Sequence, residues 1–403
     1  MLLELSPDQE VLREATARFL ADRVPADVVR ALRTNAAGFE PDYWREGAEL
    51  GWTSLLVGEE QGGGSVSGAG LVDLTLVAHE FGLRSAPGPL TSTNVVAATL
   101  AEAGGANHPA QASALGELLA GTAVASWCLG GPPPLDRLGS TGVSYRVEGD
   151  SLVLRGVARP VEAAGQAGHL LVTAHGERGL TQVLVSPGGT GDTGGTAGAA
   201  GAAAAGDPGV AGLAIDPLRT VELNRRFATV RFDDVHVGLD QVVGAVGEAA
   251  DQVERQLQRA IVISGAEAVG AMQAAFELTV RWAFERYSYG RPLASYQALK
   301  HRFADLKTWL EAAHAISDAA AAAVDARSPE AAELVSAAKS YIGDNGTELL
   351  QECVQLHGGI GVTYEHDLHL FLRRGTVSRA MYGTPAEHRQ RVAGLVEHRK
   401  EQE

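Results

Sequence analysis

The chain has 403 residues, 45% hydrophobic and 20% charged, which suits a globular protein with room for two or three cored domains. A formal charge of -16 excludes a general surface for nucleic-acid phosphates, although a local basic cluster could still hold one diphosphate. Two cysteines (Cys128 and Cys353), no signal peptide and no apolar run of the ~18 residues a spanning helix needs predict a cytoplasmic protein without disulfides or membrane insertion.

Ser6-Pro7-Asp8-Gln9 predicts a helix start, with Ser as cap, Pro in the first turn and Gln9 closing a capping box; Val11, Leu12, Ala15, Phe19 and Leu20 follow as its apolar face. A second helical unit spans Tyr43 to Trp52, Glu59-Glu60-Gln61-Gly62-Gly63-Gly64 is a loop, Leu71 to Phe81 is helical, and Ala- and Leu-rich helix continues to about Leu119. Residues 1–122 are thus an all-α domain.

From Ala123 the texture turns to short β-prone runs: Ala123 to Leu129, Val143 to Val147, Leu152 to Leu154, His169 to Thr173, Gln182 to Val185 and Ala228 to Asp233. Gly149-Asp150 between two of them is a hairpin signal. Residues 123–243 form a β-domain, and its Gly/Ala/Thr tract 188–209 is expected to be a flexible surface insertion. Residues 244–403 are helical again. Leu257, Ile261, Gly265, Val269, Met272, Phe276 and Val280 mark the buried face of one long helix; Ser328-Pro329-Glu330 starts another, and Thr384-Pro385-Ala386-Glu387 is a capping box for the last. The class is α+β, mostly α.

Two motifs stand out in the last part. Arg281 to Pro292 reads Arg-Trp-Ala-Phe-Glu-Arg-Tyr-Ser-Tyr-Gly-Arg-Pro, a helix with Arg in its last turns that stops at Pro292; Gln355-Leu356-His357-Gly358-Gly359-Ile360-Gly361 follows downstream. Together they resemble the acyl-CoA dehydrogenase family, whose R-x-x-F-G-x-P and Q-x-x-G-G-x-G segments grip the ADP end of FAD. The resemblance covers nearly the whole chain, Ala48-Glu49-Leu50-Gly51-Trp52 and Glu59 to Gly63 included. It implies that family's fold: an N-terminal helical domain, a middle β-barrel-like domain and a C-terminal four-helix bundle.

It also implies a chemistry. In the family a carboxylate removes the proton α to a thioester carbonyl while the β-hydride leaves for the flavin. One subunit cradles the isoalloxazine ring and supplies the base; a neighbour's C-terminal helices hold the ADP moiety. By match to the motifs, Arg286 would pair with the pyrophosphate, Ser288 and Tyr289 would stand beside the diphosphate and adenine, and Gln355 with the Gly358-Gly359 backbone would form the other wall.

The other half of that site departs from the family. Its T-E-P-G-A-G-S-D segment is replaced by Gly130-Gly131-Pro132-Pro133-Pro134-Leu135-Asp136, whose prolines lack amide donors, and its W-I-T falls on Pro160-Val161-Glu162. Neither position where the family keeps its base carries an acid: counting from Gly358-Gly359 gives Tyr382 (Gly383 on a shift of one), and the alternative helix position is Ala260. Glu254, Glu267 and Glu365 are nearby acids, the last read as a charged first-turn residue of a helix through Leu372. No catalytic residue is assigned, and no metal ligands are expected.

The resemblance therefore implies a subunit of an FAD-dependent acyl-CoA dehydrogenase, acting in lipid or steroid degradation by α,β-desaturation of an acyl-CoA. The FAD is expected to be shared with a paralogous partner in an α2β2 assembly, as in two-gene actinobacterial enzymes of steroid side-chain CoA thioesters, with an electron-transfer flavoprotein as acceptor. The alternatives are a self-sufficient homotetrameric dehydrogenase and a non-redox acyl-CoA-binding scaffold.

Overall fold

The computed structural model describes residues 4–35, 37–104, 108–130, 141–188 and 209–402. The helices in chain order are α1 (Pro7–Arg23), α2 (Ala26–Ala31), α3 (Pro41–Glu49), α4 (Gly70–Arg84), α5 (Leu90–Glu102), α6 (Pro109–Leu119), α7 (Ala250–Glu285), α8 (Gln297–Asp325), α9 (Ala331–His357), α10 (Leu368–Ala380) and α11 (Pro385–Gln402). The strands are β1 (Ala125–Cys128), β2 (Val143–Glu148), β3 (Ser151–Glu162), β4 (His169–Gly176), β5 (Gly179–Val185), β6 (Leu213–Leu218), β7 (Phe227–Gly238), β8 (Tyr287–Ser288) and β9 (Arg291–Pro292). By packing, these fall into two compact units: Met1–Val29 with Leu71–Ala86 and Ile261–Glu403, and Arg30–Gly70 with Pro87–Ala260.

In the second unit β1 to β7 form one sheet in the order β1-β4-β2-β3-β7-β6, with β5 paired to β4. The two-residue turn Gly149-Asp150 closes the β2–β3 hairpin at Glu148 and Ser151, as its turn chemistry predicts. β3 is longer than the run Leu152 to Leu154 suggests: it continues to Glu162 against β7, with register shifts between Leu154 and Gly156 and between Ala158 and Val161. The expected Gly131–Asp136 segment and nearly all of the 188–209 insertion lie outside the described residues. The sheet core gathers Val143, Leu152, Leu154, Leu170, Val172, Val230 and Val235, all buried. Beside it runs a polar chain: Trp127 Nε1 donates to Thr173 Oγ1 (3.0 Å), as does Gln182 Nε2 (2.7 Å), and Gln182 bonds Gln256 on α7, which reaches Thr99 on α5 (2.7 Å). Every buried side-chain amide in that chain has a partner, so its desolvation is offset.

In the first unit, α1 begins with the capping box the sequence predicts: Gln9 N donates to Ser6 Oγ (3.3 Å) and Ser6 N to Gln9 Oε1 (3.1 Å). Gln9 also donates to buried Asp73 on α4 (2.9 Å). The start of α4 is capped from α8, where Asp325 accepts from Leu71 N and Val72 N at 3.1 and 2.8 Å. α4 and α7 cross at backbone contact: a Cβ on Gly82 would lie 2.0 Å from Glu267 O, and one on Gly270 2.1 Å from His79 O. Glycine at both positions is a packing requirement. α11 opens on the predicted Thr384 box, with Thr384 N to Glu387 Oε2 at 2.7 Å.

α7 is long enough, and on average apolar enough over an 18-residue window of mean hydropathy 1.3, to cross a membrane, although Glu267 and Glu277 interrupt its apolar stretch. That window is 72% buried, so the helix reads as a core element.

Candidate cofactor site

The two motifs of the C-terminal part meet in the first unit. α7 ends at Glu285, ahead of the expected stop at Pro292, because Tyr287-Ser288 and Arg291-Pro292 pair as the short β8–β9 hairpin. Its two turn residues, Tyr289 and Gly290, take φ of 49° and 79°, the left-handed pair a two-residue hairpin demands. Tyr296 Oη donates to Ser288 O (2.6 Å) and fixes the hairpin to the segment before α8. Arg286 stands at the hairpin's entry, exposed, its guanidinium 5.9 Å from the Trp282 ring and without a carboxylate partner among the described residues.

α9 ends at His357, whose ring stacks on Trp282 with centroids 5.3 Å apart and planes at 15°. This brings the Gly358-Gly359 turn to the Arg286 side of the unit. Gly358 has φ 67°, and neither Gly358 nor Gly359 has anything within 4 Å of where a Cβ would be. The glycines therefore leave open backbone that a ligand can approach closely. Gln355 is exposed one turn before the helix end; Ser288 is half-buried. Around these groups lie large apolar side chains that a single chain leaves in water: Tyr289 is 98% exposed, Val362 75% and Phe284 66%. These apolar side chains are exposed beside Arg286, which has no carboxylate partner among the described residues.

The second unit carries no comparable vacancy at Pro160-Val161-Glu162. Glu162, at the end of β3, is buried and ion-paired with buried Arg225 at 2.5 Å. Arg225 also lies 5.9 Å from the Phe227 ring. Glu162 O accepts from Ser126 Oγ (2.5 Å), while its second carboxylate oxygen has no partner among the described residues. Sequence reasoning isolated Glu162 but missed Arg225, 63 residues away, because no local pattern connects them.

The acids near the family's base positions are committed or misplaced. Glu267 is buried in an ion pair with fully buried Arg374, which also donates to Ala86 O (3.1 Å). Glu254 is half-buried and accepts from Gln258 (2.8 Å). Glu365 is exposed and precedes α10, which starts at Leu368; it is thus not in the helix's first turn, and the Thr363 hydroxyl holds its carboxyl below the usual range. Ala260 is fully buried. Tyr382 has φ 58°, uncommon for a residue with a Cβ, and His388 Nε2 donates to its carbonyl (2.9 Å).

Comparison with known proteins places this arrangement. The description "Acyl-CoA dehydrogenase, N-terminal domain" matches residues 6–121 and "Acyl-CoA dehydrogenase, C-terminal domain" residues 250–395. The chain belongs to the acyl-CoA dehydrogenase family, whose members are oxidoreductases. It is similar to acyl-CoA dehydrogenase IpdE2 of Mycolicibacterium smegmatis, 26% identical over 97% of this chain and 100% of that one. It is 28% identical to IpdE2 of Mycobacterium tuberculosis over 96% and 97% of the two chains. Among solved structures, a steroid ACAD, Tcur3481-Tcur3483, aligns with TM-score 0.82 at 24% identity over 97% of this chain and 98% of that one. The ChsE4-ChsE5 complex from Mycobacterium tuberculosis aligns with TM-score 0.83 at 21% identity over 98% and 99%. At these identities the structures establish the fold: N-terminal helices, central sheet, C-terminal helical bundle.

Proposed function

We infer that this chain is the non-catalytic subunit of a hetero-oligomeric, FAD-dependent acyl-CoA dehydrogenase. Its C-terminal helices lend Arg286, Ser288, Tyr289, Gln355 and the Gly358-Gly359 backbone to the ADP end of a flavin seated in a paralogous partner. The partner carries the ring cradle and the catalytic carboxylate. The observation that carries this reading is an asymmetry: Arg286 and the open glycine turn are exposed and uncommitted, while Glu162–Arg225 fills the position of the family's flavin contacts and Ala260 and Tyr382 stand where its bases belong.

The residues fit half of the cofactor. A guanidinium fork, a hydroxyl and open backbone amides suit a diphosphate. A carboxylate already neutralised by a buried Arg, with no Trp or Thr beside it, does not suit the flavin ring. When bound, the flavin accepts the hydride removed from the acyl chain; this chain's residues hold the cofactor's tail and remove no proton. Heteromeric neighbours such as ChsE4-ChsE5, and a neighbour named a steroid ACAD, favour a paralogous partner and a steroid-derived acyl-CoA as substrate. An electron-transfer flavoprotein is the acceptor this reading expects.

Reconstitution tests the reading. The chain, a paralogous subunit carrying the family's T-E-P segment and catalytic Glu, and FAD are mixed, and the assembly is sized with its flavin counted. An α2β2 particle with one FAD per pair supports it; a homotetramer of this chain with one FAD per chain overturns it.

A further inference from the structure

Lys339 lies in the middle of α9, only 6% exposed. Its ammonium donates to Ser378 O near the end of α10, and no carboxylate pairs with it among the described residues. An ammonium carries three donors, so two are unspent. Beside it lies a cleft of about 20 Å³ within the C-terminal bundle, walled by α7, α8, α9 and α10 through Ile261, Met272, Ala320 and Ile342, with Lys339, Ser378, Arg379, Ser264, Ser317 and Thr347 as polar lining. That volume admits one water-sized body.

The polar groups there share one deficit. Ser378 Oγ, and Ser336 Oγ one turn before Lys339, are buried with no hydrogen-bond partner among the described residues. The neighbouring charge is a second cation, Arg379, which spends itself on Asp344 at 2.8 Å. On α11, His388 Nε2 is committed to Tyr382 O. Burial, and then Arg379, push the Lys339 amine down to about 7, and no carboxylate among the described residues offsets its charge. Positive charge is in surplus there, while the Ser336 and Ser378 hydroxyls and His388 Nδ1 are neutral groups without partners among the described residues. A buried cation in that position is normally paired.

We propose that this cleft binds a small monovalent anion, a halide, held by Lys339 Nζ and Ser378 Oγ inside the helical bundle. The small volume selects against larger anions. The site shares no residue with the two motifs, so it stands or falls apart from the function inferred above.

The test is thermal unfolding of the full chain at pH 7 and fixed ionic strength, with sodium bromide exchanged stepwise for sodium gluconate. An anion bound only by the folded state raises the midpoint in proportion to the logarithm of its concentration above Kd. The expected result is a bromide-dependent rise that Lys339→Met abolishes and Ser378→Ala diminishes. If Lys339→Met does not fold, Ser378→Ala and the bromine anomalous signal in crystals of the unaltered chain decide it, with a peak beside Lys339 Nζ expected. Equal bromide response in the unaltered chain and Ser378→Ala overturns the proposal. So does a water beside Nζ with no bromine peak, or a peak in crystals without any shift in solution, which would be binding at crystal concentration only.

Discussion

Trp282 and His357 stack at 5.3 Å and tie the end of α7, and with it the first motif, to the end of α9, where the second begins. The ring is held in one tautomer: His357 Nδ1 donates to Cys353 O (2.8 Å), and burial keeps its pKa below the ordinary histidine value, so a neutral imidazole faces the indole. Stacked aromatic pairs contribute about 0.5–1.5 kcal/mol beyond their buried area. His357→Leu is therefore expected to lower stability by about 1 kcal/mol in chemical denaturation. It is also expected to weaken flavin retention in the assembled complex; unchanged retention would uncouple the stack from the proposed grip.

Arg286→Ala should act on the cofactor and leave the fold alone. The side chain is exposed and makes no ion pair among the described residues, so the free energy of unfolding should change by less than about 0.5 kcal/mol. Losing a charge-assisted contact to a diphosphate costs about 1.5–3 kcal/mol, which is roughly a 10- to 100-fold rise in the Kd for FAD of the complex. Titration of apo-complex with FAD reads this directly. A Kd within twofold of the unaltered complex would refute the role of Arg286.

The buried Glu162–Arg225 pair makes the opposite prediction. Glu162→Gln removes the counter-charge that Glu162 gives the buried Arg225, and breaking such a pair costs about 3–5 kcal/mol. Arg225→Met with Glu162→Leu removes both charges and should recover most of that loss. Urea denaturation of the single and double variants checks the order.

Acid should loosen the first unit. His79 and His314 lie with ring centroids 5.3 Å apart, and burial lowers their pKa values to about 3 and about 4. A histidine whose folded pKa is depressed stabilises the fold above its unfolded pKa, near 6.5, and loses that contribution as pH falls from there toward 4 and 3. Glu80, raised by burial to about 6, opposes the trend between about 6 and 4.5, because its protonated form is favoured in the fold. Denaturation midpoints between pH 7 and 4 should fall, and fall less in His314→Gln. A midpoint independent of pH in that range would contradict the assignment.

Restoring an acid at the family's base position should restore no chemistry. Tyr382→Glu supplies a carboxylate, but the ring contacts at Pro160-Val161-Glu162 are still absent. The isolated variant is expected to show no acyl-CoA-dependent dye reduction.

What the sequence disclosed was mainly local. The boxes at Ser6 and Thr384 need partners three residues apart, and the β2–β3 turn needs two adjacent residues, so each is written in a short window. β6 escaped notice because it is short and carries Pro217, which an edge strand tolerates and a pattern search penalises. Asp325 as the cap of α4, 254 residues from Leu71, is set only by tertiary packing. The same holds for the site. The motif residues could be named from order alone, but Trp282 on His357, Arg225 on Glu162 and the solitary ammonium of Lys339 required coordinates.

The central claim concerns a chain that can hold the tail of a dinucleotide yet cannot seat its reactive ring. Flavin absorbance and acyl-CoA dehydrogenation by the purified chain alone, with FAD supplied in excess and then removed by gel filtration, test it most directly. The prediction is a colourless, inactive protein that gains flavin and activity only with its paralogue. A yellow, active preparation of this chain by itself would contradict it.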